Sequence, residues 1–381
     1  MSFPALDRYQ TRLAALMRRS RFRVLSQTRG VDFTSNDYLS LATAPQIAAS
    51  IAVAIDQGVP QGAAGSRLLR GNHCVHEALE AEAARFFGAE SALYFSNGFA
   101  ANVALYSTLP QRDDLIVYDA LIHASVHDGI LGSRARAVAV PHNDVEAVEQ
   151  AIRFWREGGG KGAPWIAVES LYSMDGDRAP LAELLKLAIR HDGFLVVDEA
   201  HATGVLGPEG RGLASMLKGG AHLITLHGCG KALGVSGALL CLPATLAGYL
   251  VNHARSFIYS TAPSPLVAVG VRAALQLVRD APERRDRLQA LCRHAEDTLA
   301  STLGITPSFS HIQPVIIGDN ARASRIAGLM QKEGFDIRAI RPPTVAIGTA
   351  RLRLSITLNV DKAQITAMIE RLASILAEVT P

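Results

Sequence analysis

The stretch FLVVDEAHATG at 194–204 decides how the rest of the chain is read. Four apolar residues lead into Asp198, Glu199, Ala200 and His201, the order found in the Walker B segment of a DEAH-type nucleotide-driven motor. The same letters describe a buried strand that delivers one carboxylate, Asp198, to the edge of a sheet. A motor needs a phosphate loop of the form GxxxxGK[ST] ahead of that strand. The Gly-Lys pairs are Gly160-Lys161 and Gly230-Lys231; neither precedes Ser or Thr, and the positions five before each glycine hold Trp155 and Thr225. The DEAH-type ATPase alternative therefore rests on one tetrapeptide, and the second reading is carried forward.

The bulk properties agree. A chain of 381 residues has room for one large domain and a smaller one. At 49% hydrophobic and 19% charged it suits a compact enzyme and excludes disorder. A net charge of +3 is too small for a nucleic-acid machine, so no nucleic-acid partner is expected. Cys74, Cys229, Cys241 and Cys292 are scattered without a CxxC pair, which reads as a reduced, cytoplasmic protein with no metal site. The longest uncharged run, 232–254, is broken by Gly234, Gly237, Pro243 and Gly248, so no membrane span is expected. The Arg-rich N-terminus has no apolar signal core; it fits an amphipathic surface helix better than a transit peptide.

From about residue 90, β-rich runs alternate with helical patterns: SALYF, DLIVY, RAVAV, WIAVES, FLVVDE, HLITLH and GALLCL. In the segment APLAELLKLAIRH between two of them, Leu181, Leu184, Leu185 and Ala188 share one helical face. Such alternation predicts an α/β domain with a mainly parallel sheet covered on both sides. After Asp280 a charged helix, PERRDRLQALCRHAEDTLASTL, leads into strands QPVIIG, DIRAI and RLRLSIT, a smaller α/β domain. The expected divisions are an N-terminal helix and extended segment at 1–45, a large domain at 46–280 and a small domain at 281–381.

Ligands of an open parallel sheet lie beyond the carboxyl ends of its strands. The residues that follow the strands are SNGFAAN, HAS, SLYSMDGD, DEAH and HGCGK. Lys231 stands between glycines in GCGKALG, 33 residues after Asp198. A loop lysine is most often solvated. Here the loop holds little that is polar, so the amine would be desolvated, its pKa lowered, and a neutral nucleophile supplied. The aldehyde cofactor pyridoxal phosphate needs such a lysine, an acid for its pyridine nitrogen and a cradle for its phosphate. Asp198 suits the acid, and His201 can donate to the phenolic oxygen. SNGFAAN follows a strand and opens a helix, so its N–H groups can hold a phosphate, although a plain turn has the same pattern. His123 could stack on the cofactor ring, although a lone histidine is more often simply packed.

These residues carry a resemblance to a family. FTSNDYLSL, GSRLLRGNHCVHEALE, SNGFAAN, HAS, SMDGD, DEAHATGVLGPEGRG, GKALGVSGALL, IYST and RPPTVAIGTARLRLSIT occur in order over nearly the whole chain. Together they resemble the α-oxoamine synthases, pyridoxal-phosphate transferases of the aspartate-aminotransferase fold. Within the family, RPPTV followed by GTARLRL is similar to the members that join L-alanine to a pimeloyl thioester in biotin synthesis. Relatives of the 2-amino-3-ketobutyrate CoA ligase and 5-aminolevulinate synthase types are the alternatives.

The resemblance implies that Lys231 bonds the cofactor aldehyde, that Asp198 pairs with the pyridine nitrogen, and that His201 and Ser173 bind the phenolic side. His123 would stack on the ring, and Gly98 and Phe99 would help cradle the cofactor. Asn36 and Arg353 would hold the amino-acid carboxylate, and Thr344 would line the substrate pocket. Arg18 would contact the acyl substrate, with the register of RRSRFR left open by a few positions. Thr261 would reach the phosphate of the neighbouring subunit in a homodimer. The acyl donor would be carried on coenzyme A or on acyl-carrier protein. One departure stands out: the family places a hydroxyl residue three positions before the lysine, at the cofactor phosphate, and this chain has Gly228. Either a phosphate contact is missing, or the glycine serves a backbone with positive φ.

Overall fold

Seven of the apolar runs form one sheet. The computed structural model describes residues 4–25 and 27–379. It orders the strands Ser91–Phe95, Ala238–Leu242, Leu223–Gly228, Phe194–Asp198, Pro164–Glu169, Leu115–Asp119 and Arg136–Val140. Ala238–Leu242 runs antiparallel to both neighbours; the other adjoining pairs are parallel. The mainly parallel α/β architecture is therefore present, with strand ends within a residue or so of their sequence-based positions.

All of these strands but the edge strand Arg136–Val140, which is partly exposed, are buried on both faces. Val196, Ile224, Leu226 and Leu240 pack with Ala101, Leu105, Val126 and Leu250 from the helices Gly98–Thr108, Ala124–Leu131 and Ala244–His253. Leu195, Val197, Ile166 and Val168 turn the other way, onto Val148 and Ile152 of Val145–Glu157 and onto Leu184 and Leu185 of Leu181–Arg190. Burial on both sides is why these strands read as unbroken apolar runs. Each such side chain contributes about 1.5–3 kcal/mol, so the sheet is a rigid base for whatever its strand ends carry.

Register places those ends together. Glu169 lies opposite Asp198, Asp198 opposite Leu226, and Gly228 opposite Ala238. Parallel strands end on one border, so Asp119, Glu169, Asp198 and Gly228 share the carboxyl edge where ligands of such sheets sit.

This sheet belongs to a unit made of Leu39–Ser173 and Arg178–Arg285. A second unit gathers the chain up to Tyr38, the short piece Met174–Asp177 and everything from Asp286 onward. In it Val31–Asp32 pairs in parallel with Phe335–Asp336, and Ala350–Ser355 lies antiparallel between Ile312–Gly318 and Ala339–Ile340. The strand expected at DIRAI is thus two short strands in two sheets. The chain leaves the first pairing at Ile337, whose carbonyl accepts from the Gln331 side chain (2.8 Å) and whose own side chain is buried. The helix expected at the charged segment spans Pro282–Leu303. The N-terminal helix Pro4–Arg18 leaves Leu6, Tyr9, Leu13, Leu16 and Met17 exposed. Among the described residues no helix is long and apolar enough to cross a membrane.

Candidate active site

Asp198 ends its strand 9% exposed and is held by donors on both oxygens. Oδ1 accepts from the Ala200 N–H (2.9 Å) and Oδ2 from the Asn102 amide (3.0 Å). The same Asn102 nitrogen donates to Ser125 Oγ (2.9 Å), which lies 2.8 Å from His123 Nδ1. The Ser125 N–H also points at that Nδ1 (3.2 Å), so Nδ1 is the accepting nitrogen and Ser125 donates its hydroxyl proton there. A continuous chain thus runs from Asp198 through Asn102 and Ser125 to a neutral imidazole protonated at Nε2. Burial lowers the His123 pKa, against the Asp198 charge, which raises it, and with the Lys231 charge, which lowers it further. His123 caps the helix Ala124–Leu131, yet its residue surface is partly open to solvent.

Glu199, which a motor would use as its catalytic base, is otherwise engaged. It is fully buried and accepts from Ser170 Oγ (2.6 Å), the Leu213 N–H (3.2 Å) and the Ala214 N–H. Burial pushes its carboxyl up to about 7 against those bonds. It ties the loop after Gly212 to the strand end, which disposes of the Walker B reading. His201 is buried in the turn that follows Asp198.

Glu169 sits across from Asp198 and was not singled out from sequence. Oε2 accepts the Ser173 N–H (3.2 Å), whereas Oε1 is buried with no hydrogen-bond partner among the described residues. Burial and the neighbouring Asp198 charge push it up to about 8, with the Lys231 charge opposing. Lys231 is half-buried in the loop between Leu223–Gly228 and Ala238–Leu242, and the Gly234 N–H closes a turn on its carbonyl (2.8 Å). Its charge acts on both Glu169 and His123, so lysine, acid and imidazole share one neighbourhood.

Gly98 and Phe99 open the helix Gly98–Thr108, and Asn97 caps it by accepting from the Ala100 N–H (2.8 Å). That leaves the N–H groups of Gly98 and Phe99 without an acceptor among the described residues, directed out of a helix N-terminus. Gly228 is not at positive φ, so that explanation for it is withdrawn; a Cβ there would stand 3.0 Å from the Ala200 Cβ. A side chain at this strand end would press on the turn that carries Ala200. An N-terminal cradle, a strand-end carboxylate with its own donors and a nearby lysine fit pyridoxal phosphate. Thr261 is exposed, next to Ala262, whose N–H bonds the Gly65 carbonyl (2.9 Å).

In the second unit the structure brings Arg353 and Asn36 together. Arg353 is 7% exposed and donates to Asn36 Oδ1 (3.0 Å), the Tyr38 hydroxyl (3.2 Å) and Ser355 Oγ (2.9 Å). Arg351, two residues before it on the strand, binds Asp175 and the Thr349 carbonyl (3.1 Å). Thr344 is exposed, and its hydroxyl lies 3.4 Å from Arg23. Arg18 is exposed at the last turn of its helix. The residues that sequence reading passed over are Asn102, Ser125 and Glu169. Asn102 closes SNGFAAN one helical turn beyond Gly98, which was the available signal.

Comparison with known proteins agrees with this arrangement. The family model described as aminotransferase class I and II matches residues 28–372. A protein of Chromobacterium violaceum named 8-amino-7-oxononanoate synthase is 41% identical over 347 residues, 89% of this chain and 88% of its own. One of the same name from Azoarcus sp. is 41% identical over 377 residues, 94% and 95% of the two chains. Among solved structures, a serine palmitoyltransferase from S. paucimobilis with bound PLP superposes with a TM-score of 0.88 at 25% identity, covering 99% and 98%. The 8-amino-7-oxononanoate synthase of Francisella tularensis superposes at 0.77 with 29% identity, covering 92% and 98%. This chain belongs to the class I and II aminotransferase family, and within it stands with the 8-amino-7-oxononanoate synthases.

Proposed function

We propose that this chain condenses L-alanine with a pimeloyl thioester to give 8-amino-7-oxononanoate, CO2 and the free thiol carrier, as a pyridoxal-phosphate enzyme of biotin synthesis. The observation that carries the reading is Lys231 in its glycine loop, whose charge acts on His123 and Glu169, with the strand-end carboxylate Asp198 acting on the same two groups and held by Asn102 and Ala200. The cofactor, when bound, supplies the electron sink that makes an α-carbon acidic and a carboxylate able to leave as CO2. The protein does the rest. Lys231 would hold the cofactor through its aldehyde, and its amine is the group that would take the alanine α-proton and return one. Asp198 keeps a proton on the pyridine nitrogen, with His201 and Ser173 on the phenolic side. His123 offers its ring face, its tilt fixed by Ser125. Gly98 and Phe99 receive the phosphate.

Arg353 with Asn36 holds the alanine carboxylate. Arg351 is the poorer candidate, because Asp175 already takes up its charge. Overall, alanine Cα bonds the thioester carbonyl carbon, the C–S bond breaks toward the thiol, and the alanine carboxylate leaves. We also propose a homodimer to which Thr261 contributes across the interface, and a reducing, cytoplasmic setting that suits the four free cysteines.

An assay of the purified protein with L-alanine, glycine or L-serine against pimeloyl and short-chain thioesters tests the reading. Alanine with the pimeloyl donor should release CO2 and free thiol in equal amounts, on coenzyme A or on acyl-carrier protein. Faster turnover of glycine with a short acyl donor would replace this function by that of a glycine-using relative.

A further inference from the structure

The strand Leu115–Asp119 has an aspartate at its carboxyl end and another, Asp114, just before its amino end. Both are buried, and each accepts hydrogen bonds from three other residues. Asp114 takes the Gln111 N–H (2.8 Å), the Ala163 N–H (2.7 Å) and the Trp165 Nε1–H (3.0 Å), and so fastens turns on the border away from Glu169 and Asp198. Asp119 stands on the same border as those two acids. Its Oδ1 accepts from the Leu121 N–H (2.8 Å) and His142 Nδ1 (2.9 Å), and its Oδ2 from the Asn143 N–H (2.8 Å). His142 Nε2 faces the Asn143 side-chain nitrogen (3.2 Å), which donates, so Nε2 accepts and the ring proton sits on Nδ1, aimed at Asp119.

Each of these groups touches one of two loops, all within the first unit. The first loop runs from Asp119 to His123, and its turn is set by the Leu121 bond and by the Ile122 N–H on the Asp119 carbonyl (3.0 Å). The second leaves the sheet after Glu169 and is closed where Leu171 pairs with Arg178. Ser173 lies in it, with its N–H on Glu169. Tyr172, fully buried, stands edge-on to the His142 ring at 4.4 Å. The Asn143 side chain, from a backbone at φ 57° that asparagine tolerates, also donates to the Arg178 carbonyl (3.2 Å).

We propose that Asp119 and His142 are positioning residues of the site: one buried pair holds the loop that presents His123 and the loop that presents Ser173 in a single arrangement. They act through those loops and not on the reacting atoms. In assigning His123 and Ser173 to the cofactor, the inference rests on the function proposed above. A buried carboxylate is costly unless its hydrogen bonds are made, and its removal leaves donors from both loops unpaired. Asp114 is as well bonded on the same strand, yet the turns it fastens carry none of the residues assigned to the reaction.

Hydrogen exchange of the cofactor-free protein reads the two loops directly. Asp119→Asn and His142→Leu should speed exchange in residues 120–125 and 170–173 by at least about tenfold, the effect of losing a bond to a charged acceptor from a local opening. His142→Asn keeps a donor near the Nδ1 position but lacks the ring; it should restore 120–125 and leave 170–173 fast. In the cofactor-loaded enzyme, Asp119→Asn and His142→Leu should lower kcat by roughly tenfold and keep KM for alanine within about threefold. Both should also move the pH midpoint of the cofactor's visible absorbance. Asp114→Asn is the control: its Tm should fall by a similar amount, with kcat, absorbance and exchange at 170–173 unchanged. Should Asp119→Asn fail to fold, the two His142 variants decide, at a side chain 27% exposed. Unchanged exchange in both loops, or an absorbance that Asp114→Asn moves as far as Asp119→Asn does, would overturn the proposal. Unchanged exchange in an enzyme that turns over alanine and pimeloyl thioester would refute this inference and leave the reaction standing. Loosened loops and a shifted absorbance in a protein that makes no amino ketone would uphold the pair and remove the reaction.

Discussion

Glu169 and Asp198 face each other at the ends of neighbouring strands, yet the protein furnishes them in opposite ways. Asp198 receives a donor on each oxygen, one from the main chain and one from Asn102. Glu169 receives a single N–H on one oxygen, keeps the other buried without a partner among the described residues, and has its carboxyl pushed up to about 8. Two identical functional groups on one border can take different tasks only when their surroundings differ. The strand Ala350–Ser355 repeats the lesson with cations: Arg351 is bound to Asp175, while Arg353 is aimed at Asn36 and Tyr38.

The largest expected effect sharpens the carboxylate comparison. Asp198→Asn should lower kcat by roughly 10²–10³, the size lost when one preorganised electrostatic group is removed. Glu169→Gln, replacing a protonated acid by a neutral amide of the same shape, should change kcat less than fivefold at pH 7, below the Glu169 value of about 8. Equal losses in the two variants, measured at saturating alanine, would erase the distinction. Asn102→Ala should fall between them, and its cofactor absorbance should titrate differently with pH, because Asp198 loses a donor and Ser125, which holds His123, loses the same one.

The arginine pair gives the next effect. Arg353→Lys cannot reproduce a planar fork and should raise KM for alanine by about tenfold or more while cofactor content stays full. Arg351→Lys should instead act on stability through Asp175. A KM effect from Arg351→Lys as large as that from Arg353→Lys would mean that the wrong arginine was chosen.

A smaller effect concerns pH. The folded chain holds the Glu169 proton up to about pH 8, whereas the unfolded chain releases it near the ordinary carboxylate value. The protonated site's stabilisation is therefore complete in acid and is lost as pH rises toward 8. Glu199, raised to about 7, acts in the same direction. Apoenzyme Tm should fall between pH 5 and 8 from these groups, and Glu169→Gln should flatten part of that slope. An unchanged slope would contradict the burial of an acid there.

The smallest effect is at Gly228. Thr there could add a bond to a charged acceptor, about 1.5–3 kcal/mol at best, but its Cβ presses on Ala200 at 3.0 Å. Gly228→Thr should lower apoenzyme Tm slightly and change cofactor affinity by less than tenfold. A larger gain in equilibrium dialysis would show that Ala200 yields easily.

Much of this was legible beforehand. The central strands were plain because burial on both faces leaves only apolar letters, and Asp198 and Lys231 were plain because strand-end chemistry depends on position along the chain. Asn102 was not, because its bond to Asp198 spans 96 residues of sequence. Nor was the state of Glu169, since an unpartnered oxygen is a property of packing. The segment 336–340 misled because its two β-branched residues, Ile337 and Ile340, do not hold one continuous strand, and the run divides between two sheets. At Gly228, positive φ was one of two explanations, and the backbone does not have it; what the packing adds is the nearby Ala200.

The central claim is that Lys231 is the amine that bonds the cofactor. Borohydride reduction of the cofactor-loaded enzyme, followed by peptide mapping, tests it most directly. The account predicts a single cofactor adduct on Lys231, and none in Lys231→Ala even where that variant still takes up cofactor. An adduct on Lys161 or Lys186 instead would contradict it.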